Sequence, residues 1–146
     1  MPLAHPAADV WTLLADIADV TPAAPAFIQG ERTLSFAELA DCAARAAQGL
    51  ADLGVGPGDR VALWLPNIPA YPILYFACAR LGAIAVAVNT RYRAVEVADI
   101  VGRSGAKVLA CAPGFRRIDF LSILAGIEPA SLDRLSAIIT VGDTPD

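Results

Sequence analysis

Four strand-length runs constrain this chain most: Val61–Leu65, Ala83–Val88, Lys107–Cys111 and Ala137–Val141. Each is apolar apart from Lys107 at the start of the third and Thr140 near the end of the fourth. A strand buried on both faces reads as such a continuous run, whereas a strand with one wet face alternates. Stretches of helical periodicity separate the four. Strands alternating with helices mean βαβ units, since parallel neighbours need a long crossover between them. The expectation is an α/β fold: a mainly parallel sheet, helices on both faces, right-handed crossovers. There is no internal repeat and no low-complexity segment.

The helices can be placed from their caps. Ala8 to Val20 carries Val10, Leu13, Leu14, Ile17 and Ala18 at helical spacing, and Thr21-Pro22 ends it. Ala26–Ile28 and Thr33–Leu34 form two short strands around a hairpin-like turn, Gln29–Arg32. Ser35-Phe36-Ala37-Glu38 is a capping box, with Leu34 and Leu39 at the staple positions around it. The helix it starts spans 36–53, and Gly54 stands where a left-handed cap wants glycine. Further helices are predicted over 70–81, ending at Gly82, over 94–103, ending at Ser104-Gly105, and somewhere within 115–126. The polar tail from Gly142 to Asp146 is expected to fray.

Length and composition set the outer limits. The 146 residues amount to about one domain. Hydrophobic residues make up 56% and charged residues 18% of the chain, and the mean hydropathy is +0.54; an ordinary soluble domain is about 45–50% apolar. A spanning helix does not account for the excess. The longest uncharged run, Val61–Ala79, holds Pro66, Pro69 and Pro72, which break a helical ladder. Met1–Val10 has no basic region leading into an apolar stretch, so a cytoplasmic protein without a transmembrane segment is expected. The remaining account is an apolar face that further protein normally covers, and self-association through that face in the isolated chain. The net charge of −4 argues against nucleic acid as a partner.

Few residues can carry chemistry. His5, the single histidine, sits in a terminal segment with no orienting partner for a nucleophile. Lys107, the single lysine, reads as a solvated residue at a strand edge. Cys42, Cys78 and Cys111 are widely spaced within apolar stretches, which fits free buried thiols rather than a metal site. Gly54-Val55-Gly56-Pro57-Gly58 looks like a phosphate loop but joins a helix to a strand, the wrong order for a cradle, and Pro57 lacks a donor. Asp59 and Arg60 could pair at the surface, and Asp99–Arg103 is an ordinary helix-surface pair. Two basic groups remain: Arg91-Tyr92-Arg93 and Arg116-Arg117. Each follows a buried strand at its C-terminal end, where ligands of open α/β sheets gather.

The order of segments resembles the AMP-binding superfamily of acyl-CoA synthetases, luciferases and peptide-synthetase adenylation domains. The resemblance rests on Thr33-Leu34-Ser35-Phe36-Ala37-Glu38-Leu39, Gly54–Ala62, Leu65-Pro66-Asn67, Leu81-Gly82-Ala83 with Val88-Asn89-Thr90-Arg91-Tyr92, and Ser104-Gly105-Ala106-Lys107. Together they span roughly residues 8 to 141 in the family's order. Thr90 stands where the family commonly has proline. The Asn89–Tyr92 form is more similar to acyl- or aryl-CoA synthetases than to peptide-synthetase domains.

The resemblance implies a parent that uses ATP and Mg²⁺ to turn a carboxylic acid into an acyl-adenylate and then passes the acyl group to CoA. Fatty-acid metabolism is the expected setting, and the acyl substrate itself is not readable. The family's Ser/Thr/Gly-rich loop ending in Pro-Lys-Gly, its adenine motif, hinge residue and catalytic lysine have no counterpart here, so no catalytic residue is carried over. Residues 1–146 are expected to be the N-terminal portion of the adenylation domain, ahead of that loop and inactive alone. By the same resemblance, Arg91 and Arg116 would contact the nucleotide phosphate of CoA. The competing expectation is a non-catalytic relative that serves as a binding domain; a self-contained flavodoxin-like nucleotide binder would need a glycine loop between strand and helix, and none is present.

Overall fold

A computed structural model describes residues 9–142. His5, Ala8 at the start of the first predicted helix, and the tail beyond Gly142 lie outside the described residues. The first helix, α1 (Val10–Val20), is capped by Asp9, whose Oδ1 accepts from the Thr12 N–H at 2.7 Å. Strands β1 (Pro25–Gln29) and β2 (Arg32–Ser35) form an antiparallel hairpin, longer at each end than its apolar residues suggest. The capping box then opens α2 (Phe36–Asp52): the Glu38 N–H donates to Ser35 Oγ at 3.2 Å, and the Ser35 N–H donates to Glu38 Oε2 at 2.8 Å. The Ser35 N–H, and after it the Ser35 hydroxyl, which also donates to Glu38 Oε2, hold the Glu38 carboxyl below its ordinary pKa.

From there strand and helix alternate as expected: β3 (Arg60–Trp64), α3 (Ala70–Leu81), β4 (Ile84–Ala87), α4 (Ala94–Ser104), β5 (Val108–Cys111), α5 (Phe120–Ala125) and β6 (Ala137–Thr140). The four strands form one parallel sheet in the order β4-β3-β5-β6. Two 3-10 turns, Phe115–Arg117 and Pro129–Leu132, lie between β5 and β6.

Residue parity along the strands splits the core in two. Val61, Leu63, Val108 and Ala110 face Ala47 and Leu50 of α2 and Leu74, Ala77 and Cys78 of α3. Ala62, Trp64, Leu109 and Cys111 face Val97 and Val101 of α4 and Phe120 and Leu124 of α5. Both faces of the central strands are therefore dry, which is why those strands show no alternation. Burying each large side chain stabilises by about 1.5–3 kcal/mol. The outer strands are covered less well: Ile84 is 52% and Ile138 46% exposed, on strands with one unpaired edge each. Among the described residues, no helix is long and apolar enough to cross a membrane.

Helices α2, α3 and α4 end alike. The N–H of Val55 donates to Leu50 O, that of Ala83 to Cys78 O and that of Ala106 to Val101 O, each across a glycine. This six-to-one bond is the Schellman arrangement. Gly105 shows why glycine is needed: its φ is +61°, where a Cβ would crowd the backbone.

Candidate functional site

The order β4-β3-β5-β6 has a physical consequence at one end of the sheet. The connection leaving β3 passes over one face to β4, and the connection leaving β5 passes over the other face toward β6. The chain therefore diverges at the C-terminal ends of β3 and β5, and a crevice opens between the departing segments. A cleft of about 520 Å³ lies there, walled by Pro66 and Asn67 after β3, Tyr71 of α3, Asn89 and Tyr92 after β4, and Arg116 after β5.

The two predicted arginine positions differ. Arg116 lines the cleft, with its guanidinium 5.3 Å from the Phe115 ring centroid. Its backbone is left-handed, φ 49° and ψ 34°, and Arg117 follows at φ 58°. Non-glycine residues rarely hold that conformation. Arg91 lies on the exposed loop beside the cleft and is not part of its wall. Its N–H donates to Asn89 Oδ1 at 2.9 Å, which tightens the turn. Neither Arg91, Arg116 nor Arg117 has a carboxylate partner among the described residues.

Arg93, the other member of the first basic group, is engaged. Its Nη1 points at the carbonyls of Thr90, Arg91 and Tyr92, at 3.3, 2.9 and 2.9 Å. Its N–H donates to Glu96 Oε2 at 3.0 Å, at the start of α4, and this bond is the main reason the Glu96 carboxyl lies below its ordinary pKa. Tyr71 and Asn67 were not singled out by sequence reasoning. They reach the cleft because Pro66 breaks β3 and α3 starts four residues later; the Leu65-Pro66-Asn67 break is the one signal that could have pointed to them.

The opposite end of the sheet corrects two expectations. Asp59 does not pair with Arg60. It accepts from the Gly56 N–H at 2.9 Å and from Lys107 Nζ at 3.2 Å, and these two bonds, in that order, hold its carboxyl below the ordinary range. Arg60 instead donates from Nε to Ser104 O at 2.7 Å and from Nη2 to Gly105 O at 3.1 Å, closing the end of α4. Lys107 is not merely solvated, because its ammonium also donates to Gly54 O. The Gly54–Gly58 loop spends its Gly56 donor internally, so it is a turn. The Asp99–Arg103 pair forms at 3.5 Å.

The cysteines divide as well. Cys78 and Cys111 are buried, and burial pushes each thiol up to about 11. Cys42 is not buried: it lies half-exposed on α2, where its Sγ accepts from Arg45 Nη2 at 3.2 Å. Among the described residues no group of three His, Cys, Asp or Glu side chains could hold a metal ion.

Comparison with known proteins gives concordant results. Residues 14–144 match the family of AMP-binding enzymes. A 4-hydroxybenzoate–CoA/benzoate–CoA ligase of Rhodopseudomonas palustris is 37% identical over 120 residues, 82% of this chain and 21% of that protein. A feruloyl-CoA synthase of an Amycolatopsis species is 44% identical over 96 residues, 66% of this chain and 20% of its own length. A Mycobacterium tuberculosis fatty acyl CoA synthetase of solved structure superposes with a TM-score of 0.83 at 29% identity, over 91% of this chain and 26% of that one. The chain thus spans about a fifth of the length of the curated relatives it matches.

Proposed function

The chain belongs to the AMP-binding enzyme family, and on that premise we propose that residues 1–146 are the N-terminal portion of the adenylation domain of a cytoplasmic, ATP-dependent acyl-CoA synthetase. The observation that carries this reading is the family match over residues 14–144, together with relatives named as CoA ligases or synthases. The parent would join a carboxylic acid to AMP, releasing pyrophosphate, and the CoA thiol would then displace AMP to leave a thioester. Its relatives include aromatic-acid and fatty-acid enzymes by name, so fatty-acid metabolism is one setting among the carboxylic acids this class takes.

The residues present fit these groups unequally. ATP with Mg²⁺ needs cations and oxygen ligands aimed at the phosphates. Among the described residues no cluster of acids suits the metal, and the glycine-rich loop spends its donor on Asp59. The described residues therefore do not by themselves fit ATP and Mg²⁺, and the chain is expected to be inactive alone. CoA fits better. A nucleotide phosphate suits a guanidinium with no competing carboxylate, and Arg116 offers one in the cleft while Arg91 stands at its margin. When bound, CoA supplies the thiol that accepts the acyl group; these arginines would hold its phosphate.

The test uses the full-length parent. Arg116→Ala is expected to raise the KM for CoA about tenfold and leave carboxylate-dependent ATP–pyrophosphate exchange unchanged, with a smaller effect for Arg91→Ala. Equal losses in both half-reactions would end the assignment. The 146-residue chain alone is expected to show no such exchange. The uncovered edges of β4 and β6 should make it self-associate, so a monomer at high concentration in sedimentation would count against that part.

A further inference from the structure

Trp64 lies next to the cleft and touches both the turn that carries Arg91 and the helix that follows Arg116. It is the last residue of β3 and is fully buried. Its indole N–H donates to the Asn89 carbonyl at 3.0 Å. That carbonyl also accepts from the Tyr92 N–H at 3.0 Å, and the Asn89 side chain holds the Arg91 N–H at 2.9 Å. On its other side the indole ring meets Phe120 edge-on, with centroids 4.5 Å apart and the planes at 73°. Phe120 is fully buried and opens α5, four residues after Arg116.

The Asn89–Tyr92 turn closes on its own bonds, and the indole bond is what ties that closed turn to the end of β3. The indole needs the turn, because a buried N–H without an acceptor is costly and no other acceptor is bonded to it. A shift of the turn would strand this donor, and a shift of the first turn of α5 would uncover the ring. Packing alone would be met by an aliphatic residue, as at the other buried strand positions. What tryptophan adds is one rigid body with a directed polar contact on one side and a ring contact on the other.

We propose that Trp64 is the positioning residue of the cleft, fixing the Arg91 loop and the Arg116 segment relative to each other so that they move as one body. This rests on the cleft being a ligand site, but the coupling itself can be tested without a ligand. Amide hydrogen exchange is measured on the wild-type chain, on Trp64→Phe and on Phe120→Leu. Trp64→Phe is expected to speed exchange at least fivefold at residues 89–93 and 115–120, while amides of β3, β5 and α2 stay within twofold. Phe120→Leu is expected to speed both segments too, although Phe120 is in ring contact with Trp64 and not with the Asn89 turn. Uniform acceleration across the molecule, or an effect of Phe120→Leu confined to 115–120, overturns the proposal. The second variant decides the matter if Trp64→Phe fails to fold.

A ligand arm adds a spectroscopic signature. On titration of the wild-type chain with CoA, the Trp64 indole N–H resonance should shift in step with the Arg91 and Arg116 amides. Movement of those amides with a stationary indole overturns the positioning role. If none of the three shifts, the CoA reading of the cleft fails, and the exchange experiment alone decides for or against Trp64.

Discussion

At the N-terminal edge of the parallel sheet, Arg60 and Lys107 commit their donors to backbone carbonyls and to Asp59, and three helix ends close there on glycines. At the C-terminal edge, Arg91, Arg116 and Arg117 carry the same kind of charge without a carboxylate partner, around a cleft that the strand order leaves open. The first set of cations completes the fold. The second set is surplus to it. An arginine in an α/β protein therefore says little until one knows at which end of the sheet it stands and what already occupies its donors.

Substitutions that respect this contrast should rank in order. The largest loss is expected from Gly102→Ala, in the last turn of α4 at the closed edge. A Cβ there would lie 2.6 Å from the Ser131 carbonyl oxygen, so two backbone segments must part. Overpacking of that kind costs about 2–3 kcal/mol, measurable as a lowered denaturation midpoint; a neutral result would show the closed edge to be looser than its bonds imply. Gly105→Ala comes next, at about 1–2 kcal/mol, because it forces a left-handed alanine whose Cβ meets Arg60 Nη2 at 2.8 Å.

Lys107→Met should follow, at about 1 kcal/mol, from the loss of charge-assisted hydrogen bonds. It also changes the acid limb of the stability curve. The Asp59 carboxyl sits below its ordinary pKa in the folded chain, so its contribution is present above the unfolded carboxylate range and is lost as pH falls through the folded value. Melting temperatures from pH 7 down to pH 3 should therefore fall less steeply for Lys107→Met than for the wild type. A parallel pair of curves would remove the Lys107–Asp59 bond, though not the Gly56 bond, from the acid dependence.

The open edge should yield the smallest effects. Arg91→Ala and Arg117→Ala are expected to stay within about 0.5 kcal/mol of the wild type. Arg116→Gly removes a charge from the cleft and relieves a left-handed backbone, so stability should hold or rise by up to about 1 kcal/mol. A marked loss at any of these positions would erase the distinction between the edges.

Most of the fold was legible in the residues because the physics is local. The Ser35–Glu38 box starts α2, glycines at 54, 82 and 105 stop three helices, and a strand dry on both faces needs no alternation. Strand limits were off by a residue or so, because Leu65 and Val88 are buried beyond the last ladder residues and look like strand. The turn at Pro129–Leu132 has no periodicity to betray it. At the cleft, sequence alone treated Arg91 and Arg116 as equals; only the loop paths put Arg116 in the wall and Arg91 beside it. The partners of Lys107 and Arg93, and the indole bond of Trp64, depend on long side chains meeting residues distant in sequence or folded back in a loop, which no local pattern encodes.

The helix closures at the N-terminal edge have an electrical corollary. Helices α3 and α4 run opposite to the strands, so their carbonyl ends lie at that edge and their amide ends face the cleft. Each amide end carries about half a positive elementary charge over its first turn. Arg60 lies against the carbonyl end of α4 and Lys107 against that of α2, while at the opposite end the Glu96 carboxylate offsets the amide end of α4 and leaves that of α3 without an acidic partner in its first turn. Removing Arg91 and Arg116 should therefore weaken attraction for phosphate at this mouth sharply, leaving only the weaker pole of α3 behind.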